Sequence, residues 1–339
     1  MKKQILLNGV GRIGKAIMRL SLDNDAFEII TINEINPNNE SIAYSINYDS
    51  TYGRINDMFE AGDGYIQNNR NKIKITNHSS LKDANLRGID IIIDASGSKQ
   101  SMELLRLLEV ETIFLTHPDS DADINVILGV NDDKFHSDHK VISTSSCNAT
   151  ALLPLLKLID EHNPIDSGTI VTVHPLLNHQ KVLDNGCVGS ANRGVDCNLE
   201  FGRSSTQNII PSHTTTIEAC SYVMPRFDSQ LIASSSLRVP TPTVGAINIT
   251  LQLSQETTTE QIVDICTAYA QSQKHKVILN NHAPLVSSDF QAQNYTTIID
   301  HRFTSVTQGR LLNMLVWYDN EWGYASKVVD IVEEVVGSR

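Results

Sequence analysis

Residues 3–14 read Lys-Gln-Ile-Leu-Leu-Asn-Gly-Val-Gly-Arg-Ile-Gly, a β-like apolar run that breaks on glycines and opens into a helix-like run from Arg12 to Asn24. No other stretch constrains the fold as strongly. A strand joined to a helix by G-x-G-x-x-G begins a βαβ unit: the first glycine makes a tight turn, the second lets a pyrophosphate approach, and the third lets helix and strand pack closely. The helix N-terminus adds unpaired N–H groups and a positive dipole end. Gly9, Gly11, Arg12, Ile13 and Gly14 are therefore the expected cofactor-binding residues. Glu34 stands twenty residues after Gly14, beyond a second strand at Glu28 to Asn33. A carboxylate there accepts hydrogen bonds from ribose hydroxyls and repels a 2′-phosphate, so NAD is expected over NADP.

The chain of 339 residues has room for two domains. Expected strands at Ile91 to Asp94, Thr112 to Thr116 and Val126 to Gly129, with a helix at Ser101 to Glu109, continue the alternation. That pattern predicts an α/β Rossmann domain with a parallel sheet. After a helix over 149–161, strands dominate: Thr169 to Val173, Leu231 to Val239, Val244 to Leu253 and Arg310 to Tyr318. With helices at Thr259 to Ser272 and Tyr324 to Val336, this half reads as an α+β catalytic domain whose sheet is mostly antiparallel. The NAD-binding domain is expected over 1–147 and the catalytic domain over 148–320. A polar stretch between Leu183 and Thr206, carrying Arg193 and Arg203, reads as a functional loop or an intersubunit arm.

A net charge of −12, without blocks of like charge, argues against nucleic acid or an anionic membrane as partner. No apolar run is long enough to cross a bilayer, and the N-terminus does not read as a signal peptide. Cysteines 147, 187, 197, 220 and 266 are odd in number and lack CxxC spacing, which indicates neither a disulfide framework nor a zinc site. A cytoplasmic setting is expected.

Cys147 sits in Ser-Thr-Ser-Ser-Cys-Asn-Ala-Thr (143–150), between a strand-like run and a helix-like one. A helix N-terminus stabilises a thiolate, and its N–H groups can receive the oxyanion formed when that thiolate attacks a carbonyl. On its residues alone the position also suits a small buried hydrophobe.

Further motifs follow in order: Asn-Gly-Val-Gly-Arg-Ile-Gly (8–14), Tyr-Asp-Ser-Thr-Tyr-Gly-Arg (48–54), Ser-Ser-Cys (145–147), Gln-Asn-Ile-Ile-Pro (207–211), Arg-Val-Pro-Thr-Pro (238–242) and Trp-Tyr-Asp-Asn-Glu-Trp-Gly-Tyr (317–324). Together they resemble the glyceraldehyde-3-phosphate dehydrogenase family over essentially the whole chain. The resemblance implies a homotetramer and a C-terminal helix, within 321–339, that packs back on the first domain. It also implies NAD-dependent oxidation of a phosphorylated aldehyde through a thioester on Cys147, with inorganic phosphate or water releasing the acyl group. His174 matches the family's base, Arg238 its substrate-phosphate arginine and Asn320 its nicotinamide-amide contact. Ser146, Asn148 and Thr214 take substrate-binding positions.

Departures from the family are specific. Asn148-Ala149-Thr150-Ala151 replaces Thr-Thr-Asn-Cys after the nucleophile, and Asn148 is expected to keep a donor for an oxyanion or phosphate. Leu177 stands in place of a phosphate-binding threonine. Thr215 stands in place of a glycine, where a β-branched side chain is expected to narrow the phosphate site. With Asn33-Glu34 and Thr116-His117-Pro118-Asp119, these features lean toward the erythrose-4-phosphate dehydrogenase branch. Erythrose 4-phosphate is thus the first expected substrate. Phosphorylating glyceraldehyde-3-phosphate dehydrogenase is the alternative, and an inactive NAD-binding paralogue is a further one.

Overall fold

Ile5, Leu6 and Leu7 are almost wholly buried because Lys3–Asn8 lies inside a nine-stranded sheet, between Ile91–Asp94 and Phe27–Asn33. All three strands are parallel, and a strand covered on both faces carries a continuous apolar run. The sheet continues through Thr112–Leu115, Val141–Ser143 and Ile124–Asn125 on one side, and Lys72–Thr76, Tyr65–Gln67 and Glu60–Gly62 on the other. Only the last two pairings are antiparallel. The computed structural model describes residues 2–136, 138–186 and 199–338. It divides into one unit of Met1–Val126, Asp133–Ser145 and Ala325–Arg339, and a second of Ile127–Asp132 and Ser146–Tyr324.

The second unit is built on an eight-stranded sheet in the order Ile210–Ser212, Ile232–Arg238, Ile165–His174, Gly245–Leu253, Leu311–Tyr318, Thr297–Asp300 and Ile278–Asn281, with Ser305–Thr307 paired to Leu311–Tyr318. It is mostly antiparallel, as expected. The exceptions are Ile278–Asn281 with Thr297–Asp300 and, at the centre, Ile165–His174 with Ile232–Arg238. Helix Cys147–His162 is buried along nearly its whole length, including Ala149, Ala151, Leu152, Leu155 and Leu156. A helix apolar on most sides belongs in a core.

Val126–Gly129 is not a strand. Residues 127–130 turn: Val130 N–H donates to the Ile127 carbonyl, Asn131 Oδ1 accepts from Ile127 N–H, and Gly129 has φ +77. The apolar run that suggested a strand is buried, but as a packed turn. Among the described residues, no helix is long and apolar enough to cross a membrane.

Candidate active site

Gly9 makes the turn after the first strand with φ +87, and a Cβ there would come 2.5 Å from the Ser96 backbone. A Cβ on Gly14 would come 2.0 Å from the Gly9 carbonyl oxygen. Gly11, by contrast, faces open space, with nothing within 4 Å of where its Cβ would lie. It caps helix Arg12–Leu20 without a side-chain bond, and the first turn carries no acid. The amides of Arg12, Ile13 and Gly14 thus head an uncapped helix whose approach is open, which suits a pyrophosphate. Glu34 Oε2 accepts from Val10 N–H at 2.9 Å, tying the carboxylate to the glycine turn. The Arg12 side chain is engaged elsewhere: it pairs with Asp49 and lies 5.6 Å from the Tyr52 ring centroid. Beneath the turn, Asn33 donates to Asn8, and Asn8 to Asp94.

In the second unit, Cys147 is the first residue of its helix, which the chain enters through Ser145 at φ 59. Ser146, expected to bind substrate, caps the helix: its Oγ accepts from Ala149 N–H at 3.2 Å. Asn148, also expected at the substrate, has polar partners on both ends of its amide. Its Oδ1 accepts from the Cys147 thiol at 3.7 Å and from the Tyr318 hydroxyl at 2.6 Å, while Nδ2 donates to Thr216 Oγ1 at 3.1 Å. The amide thus joins Cys147, Tyr318 and Thr216. Thr214 Oγ1 lies 2.6 Å from Thr216 Oγ1, so it joins the same polar chain.

His174 and Arg238 are register partners at the ends of parallel strands, so their side chains leave the sheet on the same face. The His174 ring meets Tyr318 edge-on at 6.5 Å. His174 Nδ1 lies 2.9 Å from the Pro175 carbonyl; an N–H there leaves Nε2 as the free lone pair. Burial, helped by the Arg238 charge, pulls His174 down to about 3, so the ring is neutral at pH 7. Burial pushes the Cys147 thiol up to about 11, against the Arg238 charge and the Asn148 backbone N–H. Desolvation thus works against the helix N-terminus and favours the neutral thiol over the thiolate. Among the described residues, the buried Arg238 Nε and Nη1 have no hydrogen-bond partner, and neither do Gln180 Nε2 and Thr241 Oγ1.

Tyr318 and Thr216 were not anticipated as site residues. Tyr318 alternates inward on its strand within Trp-Tyr-Asp-Asn-Glu, which was the available signal. Each neighbour in that motif has its own task. Asp319 accepts from Glu321 and Trp322 N–H, and Asn320 Oδ1 accepts from Thr243 Oγ1 and Val244 N–H, holding Val244 at φ 64. Asn320 belongs to the second unit, the glycine turn and Glu34 to the first. Cys147, Cys220 and Cys266 are free thiols; Cys187, Cys197 and Arg193 lie outside the described residues. Among the described residues no group of His, Cys, Asp and Glu could hold a metal ion. A cavity of about 320 Å³ lined in part by Lys2, Ser21, Asp23, Phe27 and Arg70 contains none of the expected site residues.

Residues 3–102 match the model for the glyceraldehyde 3-phosphate dehydrogenase NAD binding domain, and residues 146–320 match that for the C-terminal domain. Glyceraldehyde-3-phosphate dehydrogenase 2 of Bacillus subtilis (strain 168) is 31% identical, over 99% of this chain and 97% of the relative. Glyceraldehyde-3-phosphate dehydrogenase 2 of Staphylococcus aureus (strain MRSA252) is 32% identical over 99% and 96%. Glyceraldehyde-3-phosphate dehydrogenase 3 of Saccharomyces cerevisiae (strain ATCC 204508 / S288c) is 32% identical over 98% of each chain. These matches overturn the leaning toward the erythrose-4-phosphate dehydrogenase branch. The geometry gives a physical reason at one position. Thr215 is exposed, at φ −92 and ψ 15, a backbone open to any residue. No glycine is needed there. The chain belongs to the glyceraldehyde-3-phosphate dehydrogenase family and is an NAD-dependent aldehyde dehydrogenase.

Proposed function

We propose that the chain is a phosphorylating glyceraldehyde-3-phosphate dehydrogenase. The carrying observation is the buried Arg238 guanidinium, its Nε and Nη1 unpartnered beside His174. A planar fork of unmet donors is suited to the phosphate of a substrate whose carbonyl reacts nearby. Two neighbouring segments add donors. Val239 N–H donates to the His174 carbonyl and Leu176 N–H to the Thr241 carbonyl, which lays residues 174–180 alongside 238–241. Gln180 and Thr241 then bring further unmet polar atoms to the same region.

In this reading Cys147 adds to the aldehyde carbon, giving a hemithioacetal whose hydroxyl faces His174. When bound at the glycine turn, NAD supplies the acceptor for a hydride. His174 Nε2 takes the hydroxyl proton as the carbonyl of the thioester forms. Attack of inorganic phosphate on that carbonyl gives the acyl phosphate and returns the sulfur. Thr214, at the head of helix Thr216–Val223, is suited to hold the incoming phosphate. The Asn320 amide, fixed through its Oδ1, has Nδ2 left to orient the nicotinamide carboxamide. Apolar side chains exposed at the described ends of the 183–206 stretch, Leu183, Leu199 and Ile209 with Val182, support assembly as a homotetramer.

The test is NADH formation from glyceraldehyde 3-phosphate with and without inorganic phosphate, beside erythrose 4-phosphate. Phosphate-dependent turnover with a higher kcat/KM for glyceraldehyde 3-phosphate is the expected result. Phosphate-independent turnover, or a preference for the longer aldehyde, would refute the reading.

A further inference from the structure

We propose that Asn148 is a two-way amide switch for the nucleophile: with Oδ1 toward Cys147 it holds the thiol, and turned over it offers Nδ2 to the thiolate. It acts as a positioning residue, and the inference rests on Cys147 being the nucleophile of the proposed reaction.

The argument starts from what each partner can do. In the resting arrangement Oδ1 accepts from Cys147 Sγ at 3.7 Å and from the Tyr318 hydroxyl at 2.6 Å. A bond that needs the thiol proton favours the neutral form. Once the proton leaves, the sulfur is an acceptor only, and a carbonyl oxygen facing it is repelled. The other two partners of the amide, Tyr318 and Thr216, are both hydroxyls, each able to donate or accept. Turning the amide over lets Nδ2 donate to both the thiolate and Tyr318, while Thr216 donates to Oδ1. Each of these contacts is kept with its sense reversed, and an amide has nearly the same shape in either sense.

The reversal can run further. Thr216 and Thr214 share a contact of 2.6 Å in which either hydroxyl can be the donor. The protonation state of Cys147 is thereby linked, through Asn148 and Thr216, to whether the Thr214 hydroxyl donates or accepts. The middle of the chain is sheltered: Tyr318 is 1%, Thr216 2% and Asn148 9% exposed, so water competes little for the bonds among these three.

The charged and titratable groups around the sulfur come from separate elements. Arg238, ending its strand, favours the thiolate; Glu321, before the last helix, opposes it. Burial holds Tyr318 well above the ordinary phenol range, so it remains a hydroxyl, and His174 stays neutral. None of these groups changes its charge as the proton leaves, and none can turn an acceptor into a donor toward the sulfur by rotating an amide. Asn148 can.

The test follows the rate of iodoacetamide alkylation of Cys147 against pH in the full-length protein, with NAD binding and the thermal midpoint as folding controls. Asn148→Leu, which can neither accept nor donate, should move the alkylation midpoint up by about one pH unit or more, a tenfold loss of thiolate at lower pH. Asn148→Thr supplies a hydroxyl that can turn either way and should restore most of the shift. If Asn148→Leu does not fold, Asn148→Ala takes its place with the same expectation. An unchanged midpoint in the apolar variant would overturn the switch, as would Asn148→Thr behaving like it. Because alkylation needs no aldehyde, an error in the proposed substrate would appear only in turnover and leave this result readable.

Discussion

Leu177 removes a side-chain donor where the family generally has a hydroxyl, yet its backbone organises a replacement. Leu177 N–H donates to Gln180 Oε1 at 2.7 Å and Gln180 N–H donates back to the Leu177 carbonyl at 3.0 Å. The turn fixes the amide through its oxygen and leaves Nε2 buried and unmet. An unmet buried donor costs free energy until an acceptor arrives. Gln180→Leu should therefore raise KM for glyceraldehyde 3-phosphate about ten- to hundredfold, the worth of a hydrogen bond to a charged group. Unphosphorylated glyceraldehyde should be affected far less; equal losses on both would remove Gln180 from the phosphate seat. At this scale the sequence is legible only in part. The roles expected of Cys147, His174 and Arg238 come from the family motifs they stand in, since each residue alone also suits a structural part. The partners of Asn148 are not legible, because Tyr318 lies 170 positions away along the chain and nothing local shows that the two meet.

Helices with local signals are the ones the sequence discloses well. Thr259–Ser272 starts where expected because Thr258 Oγ1 accepts from Gln261 N–H while Gln261 Oε1 accepts from Thr258 N–H, a capping box readable in the residues. Helix Thr216–Val223, absent from the expectation, has no side-chain cap bond at Thr215 and opens on threonines, poor helix formers. Helix Arg12–Leu20 is instead anchored by tertiary pairing. Arg12 and Lys15 both meet Asp49, the acid of Tyr-Asp-Ser-Thr-Tyr-Gly-Arg. Burial alone would push Asp49 up, but the Thr51 N–H, Arg12 and the Tyr52 N–H outweigh it and hold the carboxyl at about 2. A carboxyl lower in the folded state than its ordinary 3.8 binds fewer protons there than when unfolded. Its stabilisation is complete above that ordinary value and is lost as pH falls through about 2. Asp49→Asn should lower stability at pH 7 by about 1.5–3 kcal/mol, read by urea unfolding, and should flatten this acid-side loss. A stability difference that does not shrink between pH 4 and pH 2 would place the effect elsewhere.

The two kinds of sheet were readable from strand–helix alternation in the first half and strand-rich pattern in the second, because periodicity follows from which faces a strand must bury. Strand order was not readable. The parallel pairing of Ile165–His174 with Ile232–Arg238 depends on a crossover through residues 175–231, and it brings two carboxyl ends together, His174 against Arg238. Antiparallel pairing would instead have set Arg238 against the start of the other strand. The division into two units makes the two halves of the reaction separable by mutation. Cys147 and its network belong to the second unit, and the glycine turn with Glu34 to the first. Cys147→Ser should abolish turnover while NAD affinity stays within a few-fold, since no cofactor-binding group is touched. Glu34→Gln keeps an acceptor for Val10 N–H but removes the charge that repels a 2′-phosphate. It should raise the NADP-to-NAD ratio of kcat/KM by about tenfold or more and leave the rate of Cys147 alkylation unchanged. An unmoved cofactor ratio would show that another residue sets the preference. Turnover retained in Cys147→Ser would remove the thioester, and with it the chemical role of every neighbour of that sulfur.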